Sequence, residues 1–244
     1  MSTQGQSHIN NPERIIPPLD IVSRLMFITH ATAAYDECQE ARMLLQGGCR
    51  WIQLRKKEGI DLALAQRVVK ICREECSDPV RIYLDDDVRC ALLSGASGVH
   101  LGKKDMPLPE AWAIVDEQRE PERAFHIGAT ANTFEDIVQA SANGASYIGL
   151  GPYRFTETKK NLSPVLGLEG YRAIVAKCRE AGIRQPIFAI GGIEPEDVRP
   201  ILQTGIDGIA VSGSILQAAD PVEMTQRFMQ EIRAHFEQVT NQLK

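Results

Sequence analysis

The fold is constrained most by a regular alternation of short apolar runs with longer amphipathic stretches. The apolar runs are rich in β-branched and aromatic residues, which is typical of parallel strands that are buried on both faces. The predicted strands are Leu25–Thr29, Trp51–Leu54, Ile82–Leu84, Gly98–Leu101, Phe125–Ile127, Tyr147–Leu150, Ile187–Ile190 and Gly208–Val211.

The amphipathic stretches predict helices. Over Asp61–Glu75, apolar side chains recur at intervals of three and four residues and therefore share one face. A helix over Leu168–Ala181 would end at Gly182, and a helix over Pro221–Phe236 would begin after Asp220 as its cap. Further helices are predicted at Tyr35–Gln46, Val88–Ser94, Leu108–Asp116, Thr133–Ala142 and Pro195–Gln203. Strict alternation of strands and helices favours an α/β fold, a single (β/α)8 TIM barrel. A doubly wound open sheet is the alternative if the count is wrong by one or two elements.

The length and composition suit one domain with its own core. A barrel can hold 244 residues, of which 43% are hydrophobic and 24% charged. Segment 1–20 is polar and contains Asn10-Asn11-Pro12 and Pro17-Pro18, so we predict a short flexible N-terminal arm there. Residues 21–244 are predicted to form one TIM-barrel catalytic domain.

Charge and hydropathy argue against several classes of protein. A net charge of −5 gives no indication of binding to nucleic acid or to an anionic membrane. No apolar run approaches the roughly 20 residues that cross a bilayer. The N-terminus lacks the basic and apolar segments of a secretory signal, so we predict a cytoplasmic protein. The six cysteines show no zinc-ligand spacing and are predicted to be buried thiols.

Polar residues follow the predicted strands, at the barrel end where active sites form. Strand 2 runs into Gln53-Leu54-Arg55-Lys56-Lys57, and alternation would place Gln53, Arg55 and Lys57 on one side. Strand 3 is followed by Asp85-Asp86-Asp87, strand 4 by Gly102-Lys103-Lys104-Asp105, and strand 5 by Gly128-Ala129-Thr130. The carboxylates of Asp86 and Asp105 come from adjacent strands and could share one Mg²⁺, which prefers oxygen ligands and also binds phosphates.

Two further segments indicate phosphate binding. The segment after strand 6 is long, and its Thr156, Thr158 and Lys159 are suited to hold phosphate oxygens. We predict that Arg154–Leu162 is a lid that orders over bound substrate. Strands 7 and 8 end at Gly191-Gly192-Ile193 and Ser212-Gly213-Ser214, where barrels commonly bind phosphate through backbone N–H groups.

Each of these features also has an ordinary structural explanation. Asp85–Asp87 could be a solvated turn that caps the next helix, and Gly191-Gly192 could be a tight turn only. Lys103-Lys104 and Lys159-Lys160 could be surface charge. The histidines within strands 4 and 5, His100 and His126, are interpreted as structural. The functional interpretation rests on the coincidence of all these groups at one end of the barrel.

Together these motifs resemble the thiamine phosphate synthase family over about Leu25 to the C-terminal helix. The motifs that carry the resemblance are Gln53-Leu54-Arg55-Lys56-Lys57, the aspartates near Asp86, Gly98-Val99-His100-Leu101-Gly102 with Asp105, Gly151-Pro152 with Thr156-Glu157-Thr158-Lys159, and Ala189-Ile190-Gly191-Gly192-Ile193. The resemblance implies a Mg²⁺-dependent transferase. It would couple 4-amino-2-methyl-5-hydroxymethylpyrimidine diphosphate to 4-methyl-5-(2-phosphoethyl)thiazole, and release pyrophosphate.

The resemblance also implies roles for individual residues. Arg55, Lys57 and Lys159 would act on the diphosphate as catalytic residues, while Asp86 and Asp105 would hold Mg²⁺. The wider substrate-binding set would be Gln53, Leu54, Arg55, Lys56, Lys57, Asp85, Lys103, Thr130, Thr156, Glu157, Thr158, Lys159, Gly192, Ser212 and Gly213. Within that set, Thr130 would lie near the pyrimidine or the diphosphate. Thr156, Thr158, Gly192, Ser212 and Gly213 would hold the thiazole phosphate.

The chain departs from the family pattern at three of these positions. Thr130 stands where the family often has Ser, which keeps the hydroxyl. Asp85 stands for the usual Asn and Lys103 for the usual Gln, and both change the charge of the site. Since they follow adjacent strands, we predict that they form a compensating ion pair. The alternative is that Lys103 points into solvent and Asp85 joins the metal site.

Two other functions compete with the synthase. A thiazole tautomerase-like isomerase would need neither the Thr-x-Thr-Lys segment nor paired metal aspartates, and this chain has both. A non-catalytic phosphate-binding regulator on the same barrel would be indicated by loss of Arg55 or of a metal ligand, and all are present. The expected partners are the two small-molecule substrates, with no nucleic acid and no membrane. A homo-oligomer is left open.

Overall fold

The structure is a computed structural model that describes residues 17–120, 123–155 and 164–242. Its eight strands form a closed parallel barrel in which each strand pairs with the next along the chain and the last pairs with the first. The strands are β1 (Leu25–Ile28), β2 (Trp51–Leu54), β3 (Arg81–Asp85), β4 (Gly98–Leu101), β5 (His126–Ala131), β6 (Tyr147–Leu150), β7 (Ile187–Ile190) and β8 (Gly208–Val211). The predicted (β/α)8 barrel is confirmed, and the doubly wound alternative is excluded by the β1–β8 pairing.

Helices follow the strands and cover the outside of the barrel. They are α1 (Glu37–Gln46), α2 (Leu62–Glu74), α3 (Val88–Ser94), α4 (Leu108–Gln118), α5 (Phe134–Ala142), α6 (Gly167–Glu180), α7 (Val198–Leu202), α8 (Gly213–Leu216) and α9 (Pro221–Gln242). Local signals explain several of their starts. Asp36 and Thr133 form capping boxes at α1 and α5, and the carboxylate of Asp61 accepts a hydrogen bond from the backbone N–H of Leu64 at α2.

The core has two layers because side chains alternate between the two faces of each strand. The inner layer fills the barrel with Met26, Trp51, Tyr83, Tyr147, Phe188 and Ala210. The outer layer lies between the strands and the helices. Gly98, Gly128 and Gly208 give room for the inner aromatic rings, since a Cβ atom at any of them would overlap Tyr83, Tyr147 or Phe188.

The predicted elements differ from the structure mainly at their ends. Strand β5 continues to Ala131, so Gly128-Ala129-Thr130 lies within the strand and not after it. The last helix extends to Gln242, beyond its predicted end at Phe236. The predicted helix Pro195–Gln203 is a 3-10 turn over Pro195–Asp197 followed by α7. Helix α8 and a 3-10 turn at Ile21–Ser23 were not predicted.

The end of the predicted arm contacts the barrel where the structure describes it. Pro17 is buried, and Leu19 packs against the inner aromatic layer. Arg81 donates a hydrogen bond to the backbone carbonyl of Pro18, and its guanidinium lies over the Trp51 ring. Residues 17–19 therefore cover the amino-terminal end of the barrel. The arm boundary itself stays a prediction, because residues 1–16 lie outside the described part of the chain.

All six cysteines are free thiols. Four are buried as predicted, whereas Cys38 and Cys76 are only half-buried. Burial raises the pKa of Cys49 to about 11, which keeps that thiol protonated and unreactive at neutral pH. Within the described residues, no helix is long and apolar enough to span a membrane.

Candidate functional site

A cavity of about 780 Å³ opens at the carboxyl ends of the strands. Residues at or after all eight strand ends contribute to its wall, so the closed barrel brings together side chains that lie far apart in the sequence. This is the end of a barrel at which active sites form.

One wall of the cavity is built by the ends of β1, β2 and β3. The carboxylate of Asp85 accepts a hydrogen bond from the Gln53 amide, and its Oδ2 lies 3.2 Å from Nε of Arg55. The Thr29 hydroxyl accepts from the backbone N–H of Arg55 at 2.8 Å and donates to the Arg55 carbonyl at 3.0 Å. Arg55 is therefore fixed at both its backbone and its side chain, which holds its guanidinium at the cavity.

Three residues of the predicted binding motif do not line this cavity. The side chain of Leu54 points away from it and is fully buried in the outer core layer, so only the Leu54 backbone could contact a substrate, and its binding role stays a prediction. Lys56 and Lys57 follow the last residue of β2, and strand alternation no longer sets the direction of their side chains. Lys57 is exposed and outside the cavity wall, but it lies near His30. Burial lowers the pKa of His30, and the charges of Lys57 and Arg55 lower it further.

The two predicted metal ligands both line the cavity. Asp86 has a left-handed backbone, with φ of 68°, and its N–H donates to the His100 carbonyl at 3.0 Å. A non-glycine residue in this conformation often marks a functional position. Asp105 accepts a hydrogen bond on Oδ2 from the Gly102 N–H at 2.6 Å.

No group of three or more candidate ligand side chains of the His, Cys, Asp or Glu type occurs in the described parts of the chain. Two carboxylates at an open cavity nevertheless suit Mg²⁺, which keeps several water ligands and shares the oxygens of bound phosphates. Substrate and water oxygens would have to complete such a site.

The predicted ion pair between Asp85 and Lys103 does not form. Asp85 contacts Arg55 and Gln53, whereas Nζ of Lys103 lies 2.5 Å from Oδ2 of Asp136. The strand register explains the difference: Asp85 is paired with His100, so Lys103 lies three residues further along the chain, beyond the end of β4. Burial opposes ionisation of Asp136, but hydrogen bonds from Lys103 and from the Asn132 backbone outweigh it and lower its pKa.

Thr130 lines the cavity and is linked to two residues, His100 and Tyr147, for which no role at the site was predicted. Its hydroxyl lies 2.9 Å from Nε2 of His100, and Nδ1 of His100 lies 3.0 Å from the Tyr147 hydroxyl. The inner aromatic layer thus connects directly to the cavity wall. The other strand histidine, His126, is buried beside Tyr83, and burial lowers its pKa to about 4. His126 is structural, as predicted, whereas His100 belongs to the site.

The ends of β7 and β8 form the opposite wall. Gly192, Ser212 and Gly213 all line the cavity as predicted. Gly191 and Gly192 have positive φ angles of 103° and 66°, which favour glycine. Within the described part of the chain, the buried hydroxyl oxygen of Ser212 has no hydrogen-bond partner, so it can contact a ligand.

Several cavity residues on this side had no predicted binding role. Glu194 and Asn132 line the cavity, although no motif singled them out, and so does Arg154, which was predicted only as the first residue of the lid. The amide of Asn132 donates a hydrogen bond to the Gly151 carbonyl at 2.5 Å. Their position after β5, β6 and β7 was the available signal, because such residues reach the carboxyl end of the barrel.

The predicted Thr156, Glu157, Thr158 and Lys159 lie outside the described residues, and so does most of the predicted lid Arg154–Leu162. The described residues on one side of this gap, Arg154 and Phe155, both line the cavity. Phe155 is strongly exposed for an aromatic residue, at 69%.

Comparison with known proteins agrees with this geometry. A family model described as thiamine monophosphate synthase matches residues 25–215. The chain is 53% identical over 208 residues to a thiamine-phosphate synthase of Bacteroides fragilis, with 84% of this chain and 98% of the relative covered. It is 50% identical over 209 residues to a thiamine-phosphate synthase of Bacteroides thetaiotaomicron, with coverage of 84% and 95%.

A solved structure, a thiamine phosphate pyrophosphorylase from Pyrococcus furiosus, is also similar. It superimposes with a TM-score of 0.73 at 30% sequence identity, covering 88% of this chain and 97% of the other. The similarity therefore extends over almost the whole barrel and includes both walls of the cavity.

Proposed function

Because this chain belongs to the thiamine monophosphate synthase family, we propose that its cavity couples the pyrimidine diphosphate to the thiazole phosphate named above and releases pyrophosphate. The activity is that of a thiamine-phosphate synthase, a transferase. The observation that carries the proposal is that a cationic and acidic wall faces a glycine- and serine-rich wall across one cavity. Two phosphorylated molecules could therefore bind side by side.

The diphosphate binds at the wall of β2 to β4 in this proposal. Thr29 holds the backbone of Arg55 and Asp85 holds its guanidinium, and such a fixed fork suits the oxygens of a diphosphate. Gln53 is held through its amide by Asp85 and lines the same wall. Lys159 and Lys57 remain proposed cations for the leaving group, Lys159 from outside the described residues.

Asp86 and Asp105 would hold Mg²⁺ between themselves and the diphosphate. Both carboxylates line the cavity and supply the oxygen ligands that this cation prefers. When bound, Mg²⁺ neutralises the negative charge that develops on the departing pyrophosphate.

The thiazole phosphate binds at the wall of β7 and β8. The backbone at Gly192 and Gly213 and the Ser212 hydroxyl surround its phosphate.

With both substrates so held, the aminopyrimidine stabilises a positive methylene carbon as pyrophosphate leaves, and the thiazole nitrogen captures that carbon. No protein nucleophile is needed, and positioning of the two substrates supplies much of the rate. The cytoplasmic location and any homo-oligomer stay predictions.

The proposal is tested by pyrophosphate release from the two substrates with and without Mg²⁺. We expect release only when both substrates and Mg²⁺ are present, and loss of activity with EDTA that added Mg²⁺ restores. Product formation from the thiazole phosphate alone would favour the isomerase. Binding of both substrates without any turnover would favour the non-catalytic regulator.

Two conservative variants test the metal site. Asp86→Asn suits the left-handed backbone, and Asp105→Asn keeps an oxygen to accept from Gly102, so both should fold. Each should lower turnover about a hundredfold or more, since loss of the metal costs several kcal/mol. Asp78→Asn, at an exposed aspartate outside the cavity wall, is the matched control. Wild-type Mg²⁺ dependence in both site variants would contradict the assignment.

A further inference from the structure

Arg154 lies on a different side of the cavity from the other described cations that line it. Among the described residues that line it, Arg55, Lys103 and Lys104 follow β2 and β4. Arg154 follows β6 and lines the cavity together with Gly192 and Ser212. The wall proposed to hold the thiazole phosphate therefore has its own arginine.

The backbone fixes Arg154 beside this wall. The N–H groups of Tyr153 and Arg154 donate to the carbonyls of Ile190 at 2.8 Å and of Gly191 at 3.1 Å. The side chain then lies directly on Gly192, where a Cβ atom would come within 2.5 Å of Cγ of Arg154. The stem of the arginine thus occupies the space that the missing side chain of Gly192 leaves.

The guanidinium is held by one acidic partner and remains accessible. Nη2 of Arg154 lies 2.7 Å from Oδ1 of Asp197, and the arginine side chain is 46% exposed. Asp197 is fixed independently, since its Oδ2 accepts from the Glu194 N–H at 2.8 Å. A guanidinium has five N–H donors, so contact with Asp197 leaves capacity for the oxygens of an anion.

Acidic side chains near this wall make a neighbouring cation favourable for binding an anion. Glu194 also lines the cavity here, and Asp197 forms an ion pair with Arg154. Both acids would repel a phosphate dianion. The positive charge of Arg154 offsets part of that repulsion, and the planar guanidinium can bind two phosphate oxygens at once.

We propose that Arg154 binds the phosphate of the thiazole substrate and thereby sets the preference for the phosphorylated over the unphosphorylated thiazole. Before the phosphate binds, Asp197 pairs with the guanidinium beside Gly192, and its carboxylate competes with the phosphate for the same N–H donors. This inference rests on the proposed function, because it names a specificity-determining residue for the second substrate of that reaction.

The test is Arg154→Gln, which keeps much of the stem and removes the charge. We expect the KM for thiazole phosphate to rise about tenfold, the loss typical of one charge-assisted contact. The KM for the pyrimidine diphosphate and kcat/KM for the unphosphorylated hydroxyethylthiazole should change less than about twofold. Calorimetric Kd values for thiazole phosphate should rise in parallel with KM. Arg154→Lys should show a smaller loss.

Two controls separate phosphate binding from a structural role. Arg199→Gln removes an arginine of equal exposure, 46%, that pairs with Glu231 at 2.6 Å outside the cavity wall. It should leave both KM values unchanged. Asp197→Asn removes the acidic partner but keeps Arg154, so the KM for thiazole phosphate should stay equal or fall. If Arg154 only stabilises the segment after β6 through its ion pair with Asp197, Asp197→Asn should instead raise the KM for thiazole phosphate as much as Arg154→Gln does.

Failure of this inference can be distinguished from failure of the proposed function. An active wild type, combined with wild-type KM and Kd values in Arg154→Gln, overturns the role of Arg154 and leaves the synthase proposal intact. A wild type that neither releases pyrophosphate nor binds thiazole phosphate overturns both. Equal losses for the phosphorylated and unphosphorylated thiazoles also overturn the proposed specificity.

Discussion

At the scale of single residues, the two unusual charges at the site are each neutralised locally. Asp85 lies between Gln53 and Arg55, and Lys103 contacts Asp136 at the start of α5. Each charge therefore has its own partner, and neither depends on the other. The site keeps its electrostatic balance through two separate contacts.

A double-mutant cycle tests this separation. The effects of Asp85→Asn and Lys103→Gln on the free energy of unfolding should add to within about 0.3 kcal/mol, because among the described residues their contacts are with different partners. Lys103→Gln and Asp136→Asn should instead couple by about 1 kcal/mol, since those side chains contact each other. Urea denaturation of the single and double variants measures both cycles. Strong coupling between Asp85 and Lys103 would contradict this separation and would indicate a direct ion pair between them.

Glu40 in α1 links stability to pH. It is fully buried, and its Oε2 accepts from the His30 N–H at 3.0 Å. The pKa of Glu40 is raised from 4.5 to about 7, mainly by burial and in part by the nearby acids Glu37 and Asp36, while the hydrogen bond from His30 opposes the rise. The folded state therefore favours the protonated form. As the pH rises from about 4.5 to about 7, the contribution of Glu40 to stability falls.

Glu40→Gln removes this titration. The free energy of unfolding of the variant minus that of wild type should rise by about 2 kcal/mol from pH 5 to pH 8. Denaturation curves at the two pH values give the difference. Glu74→Gln, at an exposed glutamate, should show no such gain. A difference between Glu40→Gln and wild type that is the same at both pH values would argue against the raised pKa.

At the scale of elements, the glycines of the strands decide whether the inner aromatic layer fits. Gly128 in β5 faces Tyr147 in β6, whose ring packs edge-on against Trp51 at 5.0 Å between ring centres. The same tyrosine contacts His100 at the cavity. Packing inside the barrel and geometry at the site are therefore connected through one ring.

Gly128→Ala should destabilise the protein by about 2 to 3 kcal/mol, because the added methyl group would overlap the buried Tyr147 ring. The displaced hydroxyl should also disturb His100 and Thr130, so activity should fall together with stability. Urea midpoints and turnover measure the two effects. Gly213→Ala is the control for stability, since the nearest atom to its Cβ would lie 3.5 Å away. Equal midpoints for the two variants would contradict this account of the packing.

At the scale of the whole molecule, the two ends of the barrel sheet meet at β1 and β8. Arg24, just before β1, accepts a hydrogen bond on its backbone carbonyl from Ile209 at 2.8 Å. Its side chain donates to the Asp207 carbonyl at 2.7 Å, and its guanidinium lies 4.0 Å from the centre of the Phe236 ring in α9. One residue thus joins the first strand, the last strand and the last helix.

Arg24→Ala should lower stability by about 2 kcal/mol, from loss of the hydrogen bond and of the cation–π contact. For a protein of this size, the melting temperature should fall by roughly 4 to 8 °C. Arg233→Ala, at an exposed arginine of α9, should change it little. An unchanged melting temperature in Arg24→Ala would mean that backbone pairing alone closes the barrel.

The sequence by itself determined the order and type of the elements and the end of the barrel that carries the site. Hydrophobic periodicity is a local property, and strict alternation of strands and helices leaves few topologies. Five strands, among them β2, β4 and β6, have the predicted bounds. Residues that follow strands reach one end of any such barrel, so Arg55, Asp86, Asp105 and Gly192 could be assigned to the site.

Only the tertiary structure decided which of these side chains meet. Contacts between neighbouring strands depend on register, and the pairing of Asp85 with His100 separates Asp85 from Lys103. Leu54 lies in the outer layer, and His100 joins the cavity through Tyr147, because the closed barrel fixes which face of each strand points inward. Arg154 becomes a cavity residue only when β6 and β7 lie side by side. These are contacts between residues distant in sequence, and no local pattern encodes them.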